Sequence, residues 1–316
     1  MFKITYQRIL GVLLIALIIL FAVLEEGIIL KPSVLFGLTE NIVEIGFMAL
    51  ALTFIITTGG IDLSVGSTMA LSAIILGNTY EMTGNITMAI ILCMVTGLLC
   101  GAFNGLIIAK TRISPLVTTL ATMSLYYGIA KIISGTKIFS TYPDGFKLLA
   151  YKRLFNMIPY QFLLFVLIFI VFAVFFSRSN IGRYLRSIGF NEKAAKFMGV
   201  EVVRVKFGIY TLTGLICAVT SIIYLSRLPA AKPDVGLNLN LEAITAVVLG
   251  GTSIMGGVGS VTGTFIAVLV LGVLRKGMQF IGLGGDVYNF ILGIILVICL
   301  IGFSYLDNRK KGTLRG

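Results

Sequence analysis

Stretches of about 20 consecutive apolar residues recur from one end of this chain to the other, each closed by a short cluster of Gly, Pro or charge. That length lets an α-helix cross the roughly 30 Å hydrocarbon core of a bilayer, where every backbone polar group must be satisfied internally. Segmentation at the breaks predicts about ten spans, near 9–30, 38–58, 64–80, 86–109, 115–135, 159–177, 206–227, 240–253, 260–281 and 286–304. The expected fold is all-α: a polytopic integral membrane protein, with residues 1–316 forming one transmembrane domain.

Composition agrees. Of the 316 residues, 58% are hydrophobic and 12% charged, about half the charged fraction usual in soluble domains. The run Ile9–Leu24 follows Lys3 and Arg8, as in a signal peptide, but "LFAVLEE" offers no small-x-small cleavage site. It is therefore read as a retained first helix. The net charge of +12 points to residues flanking spans rather than to nucleic acid.

With ten spans both termini share a side. A cytoplasmic assignment for that side places Lys3, Arg8, Lys110, Arg112, the basic residues of 178–206, and Arg309, Lys310, Lys311 and Arg315 inside. Of the acids, only Asp62, Glu192, Glu201 and Asp307 join them. The positive-inside rule thus predicts N-in and C-in.

Several chemistries lack their residues. There is no histidine, the commonest general base and a common metal ligand. Cys93, Cys100, Cys217 and Cys299 all lie inside apolar runs without paired or metal-like spacing, as packing residues do. Lys110-Thr111 follows Ala109, so the phosphate-cradling G-x-x-x-x-G-K-[ST] is missing. Catalytic, metal and cofactor sites are accordingly not expected, and any ATP must be used by another chain.

Two glycine-rich breaks stand out. "TTGGIDLSVGS" (Thr57–Ser67) carries Gly59, Gly60, Asp62, Ser64 and Gly66; "LGGTSIMGGVGS" (Leu249–Ser260) carries Gly250, Gly251, Gly256, Gly257 and Gly259. Aligned by their glycine pairs, Gly60 matches Gly251, and Gly66-Ser67 matches Gly259-Ser260. Two readings are open: tight turns between hairpin helices, or discontinuous helices beside a transport pathway. A central carboxylate costs about 2.5–3.5 kcal/mol on insertion scales. Asp62 is therefore expected at the membrane edge, capping a helix that begins near Ser64.

The most polar segment is Arg178–Lys206. Within it Asn191 is a good N-cap, Glu192 suits the first turn, Ala194 and Ala195 continue a short helix, and Gly199 is a natural stop. So short a helix needs something to pack against. Either the loop is solvated against lipid headgroups, or it docks a cytosolic subunit.

At these residues the chain resembles the permeases of bacterial ABC importers, in the branch that moves ribose, xylose, rhamnose and related carbohydrates, autoinducer 2 among them. The likeness rests on "TTGGIDLSVGS", on "GAFNGLIIAKTRISPLVTTLATMSLYYGIA" (Gly101–Ala130), on "GFNEKAAKFMGV" (Gly189–Val200) and on "AVVLGGTSIMGGVGSVTGT" (Ala246–Thr264). They occur in matching order along the whole chain. Lys193 interrupts the Glu-Ala-Ala of the third motif. The resemblance implies a complex of two permeases, identical or paralogous, two cytosolic ATPases and an extracytoplasmic sugar-binding protein. It also implies a cytoplasmic (inner) membrane, and that Asn191–Gly199, with Gly189 before it, couples to the ATPase.

Ser114, Thr118, Thr122 and Tyr126 fall four apart on one helix face. They line a sugar pathway or pack neighbouring helices. Glu40, Glu44 and Glu242 fall at outer span ends, facing a binding protein or solvent, with Arg227, Arg275 and Lys276 snorkelling nearby. The alternative from another class is an ion-coupled secondary transporter; a membrane enzyme has little support.

Overall fold

The computed structural model describes residues 2–27, 31–111, 113–155 and 157–313. Arg112, Arg315 and residues 28–30 lie outside the described residues, as do the side chains of Lys3, Glu40, Asp307, Arg309, Lys310 and Lys311.

The chain is helical almost throughout. Five helices come first: α1 (Phe2–Leu24), α2 (Pro32–Thr57), α3 (Val65–Thr83), α4 (Ile86–Lys110) and α5 (Pro115–Ser134). A short α6 (Asp144–Tyr151) and a two-residue antiparallel pair, β1 (Arg153–Leu154) and β2 (Ile158–Pro159), precede α7 (Tyr160–Arg178). Next come α8 (Asn180–Phe190), α9 (Glu192–Phe197) and α10 (Val202–Arg227). The chain closes with α11 (Leu239–Leu249), α12 (Val261–Phe280) and α13 (Gly285–Thr313).

Local chemistry sets these limits. Proline stands in the first turn of α2 and α5, where its missing N–H costs nothing. Asn85 caps α4 by accepting from Met88 N at 3.1 Å, and Gly84 ends α3 in the left-handed region.

Among the described residues seven helices are long and apolar enough to cross a membrane, against the ten spans expected. The shortfall has identifiable causes. Helix α11 has 11 residues, about 16 Å by helix rise. In helix α2 the count covers only the described stretch Ile42–Thr57. Helix α3 is diluted by polar residues, Ser67, Thr68 and Ser72 among them, which are buried against neighbours.

Packing follows small residues. Gly97, Gly101 and Gly105 put one face of α4 against α10; a Cβ there would stand 2.4 Å from Gly214 O, 2.3 Å from Tyr210 O and 2.9 Å from Phe207 O, respectively. This is the small-xxx-small contact of membrane helices, whose backbones approach because no side chain intervenes. Helix α2 runs through the core: Phe54 stacks on Phe172 and Phe176 of α7, and Thr53 Oγ1 meets Thr264 Oγ1 of α12 at 2.9 Å.

Two acids and two arginines expected at solvated ends are paired inside the bundle. Arg227 Nη2 donates to Glu44 at 2.8 Å, and Arg275 Nη1 to Glu242 at 3.0 Å. Glu44 and Glu242 are 2% and 1% exposed. Their neighbours come from other helices, remote in sequence, which is why the helix-end reading failed. Lys276 meets the ring of Phe280 at 5.3 Å. The four cysteines are free, with Cys299 half-buried and the others buried.

Candidate functional site: the junction of the two breaks

Both glycine-rich segments lie between helices. Helix α2 ends at Thr57 with Thr58 as its C-cap, and α11 ends at Leu249 with Gly250 as its C-cap. The next residues, Gly59 (φ +78°) and Gly251 (φ +89°), are left-handed, the conformation glycine adopts without strain. The chains restart at α3 and α12, with Ser64 and Ser260 as N-caps. The structural partners are therefore Gly59 with Gly251 and Ser64 with Ser260. The alignment of Gly60 with Gly251, and of Gly66-Ser67 with Gly259-Ser260, is corrected accordingly. It paired residue types, whereas cap geometry decides equivalence.

The restarts differ in chemistry. Ser260 Oγ accepts from Gly263 N at 3.0 Å, as a helix cap should. Ser64 makes no such bond. Instead Asp62 Oδ1 accepts from Ser64 N at 2.8 Å and from Ser64 Oγ at 2.6 Å. Asp62 thus supports the start of α3 from two residues upstream, and it does so buried, 3% exposed, not at an open edge.

Other helices extend this polar cluster. Asn104 Nδ2 of α4 donates to Ser64 Oγ at 2.8 Å, and Tyr126 OH of α5 donates to Asn104 Oδ1 at 3.0 Å. Thr119 Oγ1 donates to Ile61 O at 3.2 Å, and Asn240 Nδ2 of α11 to Leu63 O at 2.9 Å. Tyr210 OH of α10 is buried with no hydrogen-bond partner among the described residues and lies 2.7 Å from where a Gly60 Cβ would be. The first break is thereby clasped by α4, α5, α10 and α11. Gly66 packs so closely on the chain before α11 that a Cβ would fall 2.1 Å from Gly236 O.

The hydroxyl stripe of α5 divides. Thr118, Thr122 and Tyr126 are buried, and Ser114 is exposed. Thr122 bonds its own helix at Thr119 O, while Thr118 Oγ1 is buried with no bond among the described residues. Asn104 and Tyr210 were not singled out as site residues. Asn104 carried the Asn-Gly of one motif, yet its role depends on a contact to α3 that spacing does not reveal.

The two breaks meet. Gly257 N donates to Thr57 O at 2.8 Å. Gly59 lies beside Met255 O, and a Cβ on Gly259 would fall 2.0 Å from Thr57 Oγ1. A third element enters here: a Cβ on Gly189, near the end of α8, would stand 2.1 Å from Thr57 O and 2.2 Å from Gly257 N. Gly256, in turn, lies against Gly189 Cα and O, and Phe190 covers Gly257. Helix α1 ties in through Tyr6 OH to Leu249 O at 2.9 Å and Gln7 Nε2 to Ser260 Oγ at 3.0 Å.

Beyond Gly189 the short helix forms as expected. Asn191 Oδ1 accepts from Ala194 N at 3.0 Å, capping α9, and Gly199 (φ +83°) stops it. Glu192 pairs with Lys206 at 2.6 Å. Ala195 is fully buried with Ile188, Val200 and Val202. Phe197 and Met198 instead point outward, 91% and 71% exposed, an apolar surface left uncovered by the described residues.

Residues 34–300 match the family described as the permease component of the branched-chain amino acid transport system. The chain belongs to this permease family. It is 37% identical over 314 residues to the "Autoinducer 2 import system permease protein LsrD" of Klebsiella pneumoniae subsp. pneumoniae, covering 98% of this chain and 94% of that one. The protein so named in Photorhabdus temperata is 37% identical over 310 residues, 96% and 92% of the two chains. The one in Yersinia pestis (strain Pestoides F) is 35% identical over 305 residues, 95% and 91%. No solved structure matches. The chain is a membrane permease component of a transport system, as its motifs led one to expect, and nothing in the family or these relatives supports the ion-coupled alternative.

Proposed function

We propose that this permease imports autoinducer 2 or a closely similar furanose-like molecule, driven by a cytosolic ATPase that docks on α8–α9. The observation that carries the reading is the Gly189 junction. One backbone contact joins the segment bearing the exposed Phe197 and Met198 to both glycine-rich breaks. Helix α8 has no room to shift there without moving Thr57 and Gly257.

In this reading Asn191–Gly199 seats on the ATPase, within the coupling segment 178–206. Closure of the ATPase pair moves Gly189, which displaces the ends of α2 and α11 and the starts of α3 and α12. ATP provides the differential stabilisation that a population shift requires. Partners are two ATPases, a second permease (the same chain or a paralogue) and an extracytoplasmic binding protein; this chain binds no cofactor itself. The protein sits in the inner membrane as one domain. Ten helices (α1–α5, α7 and α10–α13) form its wall, the short ones completed by the breaks. Both termini and α8–α9 face the cytoplasm.

The substrate reading is supported by the relatives' names, since those relatives match nearly the whole chain. Cells lacking this chain should fail to deplete autoinducer 2 from the medium while taking up ribose normally. Unchanged depletion, or loss of ribose uptake alone, would overturn the substrate assignment.

A further inference from the structure

Four charged side chains from α2, α10, α11 and α12 line a single cavity, at the opposite end of the bundle from α8–α9. Along α2, Glu44 stands about 20 Å from the break by helix rise. The cavity has a volume of about 290 Å³, near the lower end of the ~300–1,000 Å³ typical of small-molecule sites. Glu44, Arg227, Glu242 and Arg275 contribute to its wall, together with Asp234, Asn238 and Gln279.

Burying ion pairs in a membrane protein is costly, and such residues commonly mark a substrate path. Two Arg–Glu pairs acting only as helix locks would need no cavity between them. A tyrosine adds to the second pair: Glu242 Oε2 accepts from Arg275, and the Tyr288 hydroxyl lies within reach of the same carboxylate.

We propose that this cavity is a binding site within the permease itself for a neutral, polyhydroxylated molecule of monosaccharide size. A sugar hydroxyl both donates and accepts. Carboxylates supply acceptors, guanidinium groups donors, and the amides of Asn238 and Gln279 both. Three carboxylates face two guanidinium groups, so a phosphorylated sugar is disfavoured. This proposal rests on the importer reading, and it moves part of the selectivity from the external binding protein into this chain.

The test uses the full chain in lipid nanodiscs, titrated calorimetrically with autoinducer 2, D-ribose and L-rhamnose, and with ribose 5-phosphate as the anionic control. A neutral probe should bind saturably and the phosphate should not. Gln279→Ala and Asn238→Ala, which leave both ion pairs intact, should weaken binding tenfold or more and raise the KM of uptake by the assembled importer. The charge exchange Glu242→Arg with Arg275→Glu should recover the thermal stability lost in Glu242→Arg alone, without recovering binding. Absence of saturable binding by every neutral probe overturns the site, and so does native affinity in the Gln279 and Asn238 variants. Normal uptake with no such binding removes the site but keeps the importer; a wild-type complex that imports none of the neutral probes removes the importer reading.

Discussion

Asp62 shows what a single residue does in this architecture. Its Oδ1 takes two hydrogen bonds from Ser64, whose hydroxyl also accepts from Asn104. Asn keeps an acceptor at that position, so Asp62→Asn should insert normally and retain most uptake. Leu removes the acceptor and orphans a buried N–H, at about 1–3 kcal/mol for each donor left unpaired. Asp62→Leu should therefore melt earlier in detergent by that order and lose uptake. Equal loss in both variants would mean that the charge, not the acceptor, is required. Asp62 was legible as an anomaly because carboxylates are rare between spans, and its link to Ser64 follows from their spacing. Its burial was not legible, since Asn104 and Tyr126 come from two other helices. Likewise nothing local ties Glu44 to Arg227, 183 residues apart.

At the level of elements, the proposed mechanism divides the labour of coupling between α8 and α9. Helix α9 was readable because Asn191 and Gly199 punctuate it, and both perform as caps. Helix α8 was read only as part of a polar segment, because the surface that organises it, the glycine junction, is built by residues distant in sequence. The division is testable. Ala195→Asp buries a carboxylate among Ile188, Val200 and Val202, and Gly199→Pro forbids the left-handed φ; both should lose ATPase co-purification and uptake. Gly189→Ala forces a methyl onto Thr57 O and Gly257 N, an overpacking of about 1–3 kcal/mol. It should abolish uptake while leaving ATPase co-purification intact. Co-purification lost in Gly189→Ala, or uptake kept, would contradict the role given to the junction.

For the whole molecule, the helix order was readable because apolar length and Gly/Pro punctuation act locally. The count of helices long and apolar enough to cross was not, because α3 and α11 depend on packing rather than on length or hydropathy. A helix of 11 residues is stable in a bilayer only when its neighbours satisfy its ends. Here Asn240, within α11, bonds the backbone of the first break, and Gly251 ends α11 at the second. The two breaks, the C-terminal end of α11 and the α8–α9 segment thus meet in one unit at one end of the bundle. The central claim is that ATP hydrolysis in a partner moves this unit. The direct measurement is autoinducer 2 uptake by proteoliposomes holding the permease, its ATPase and the binding protein, with and without ATP and an uncoupler. Uptake should require ATP, survive the uncoupler and vanish in Gly189→Ala. Uptake that proceeds without the ATPase and collapses with the uncoupler would contradict the account.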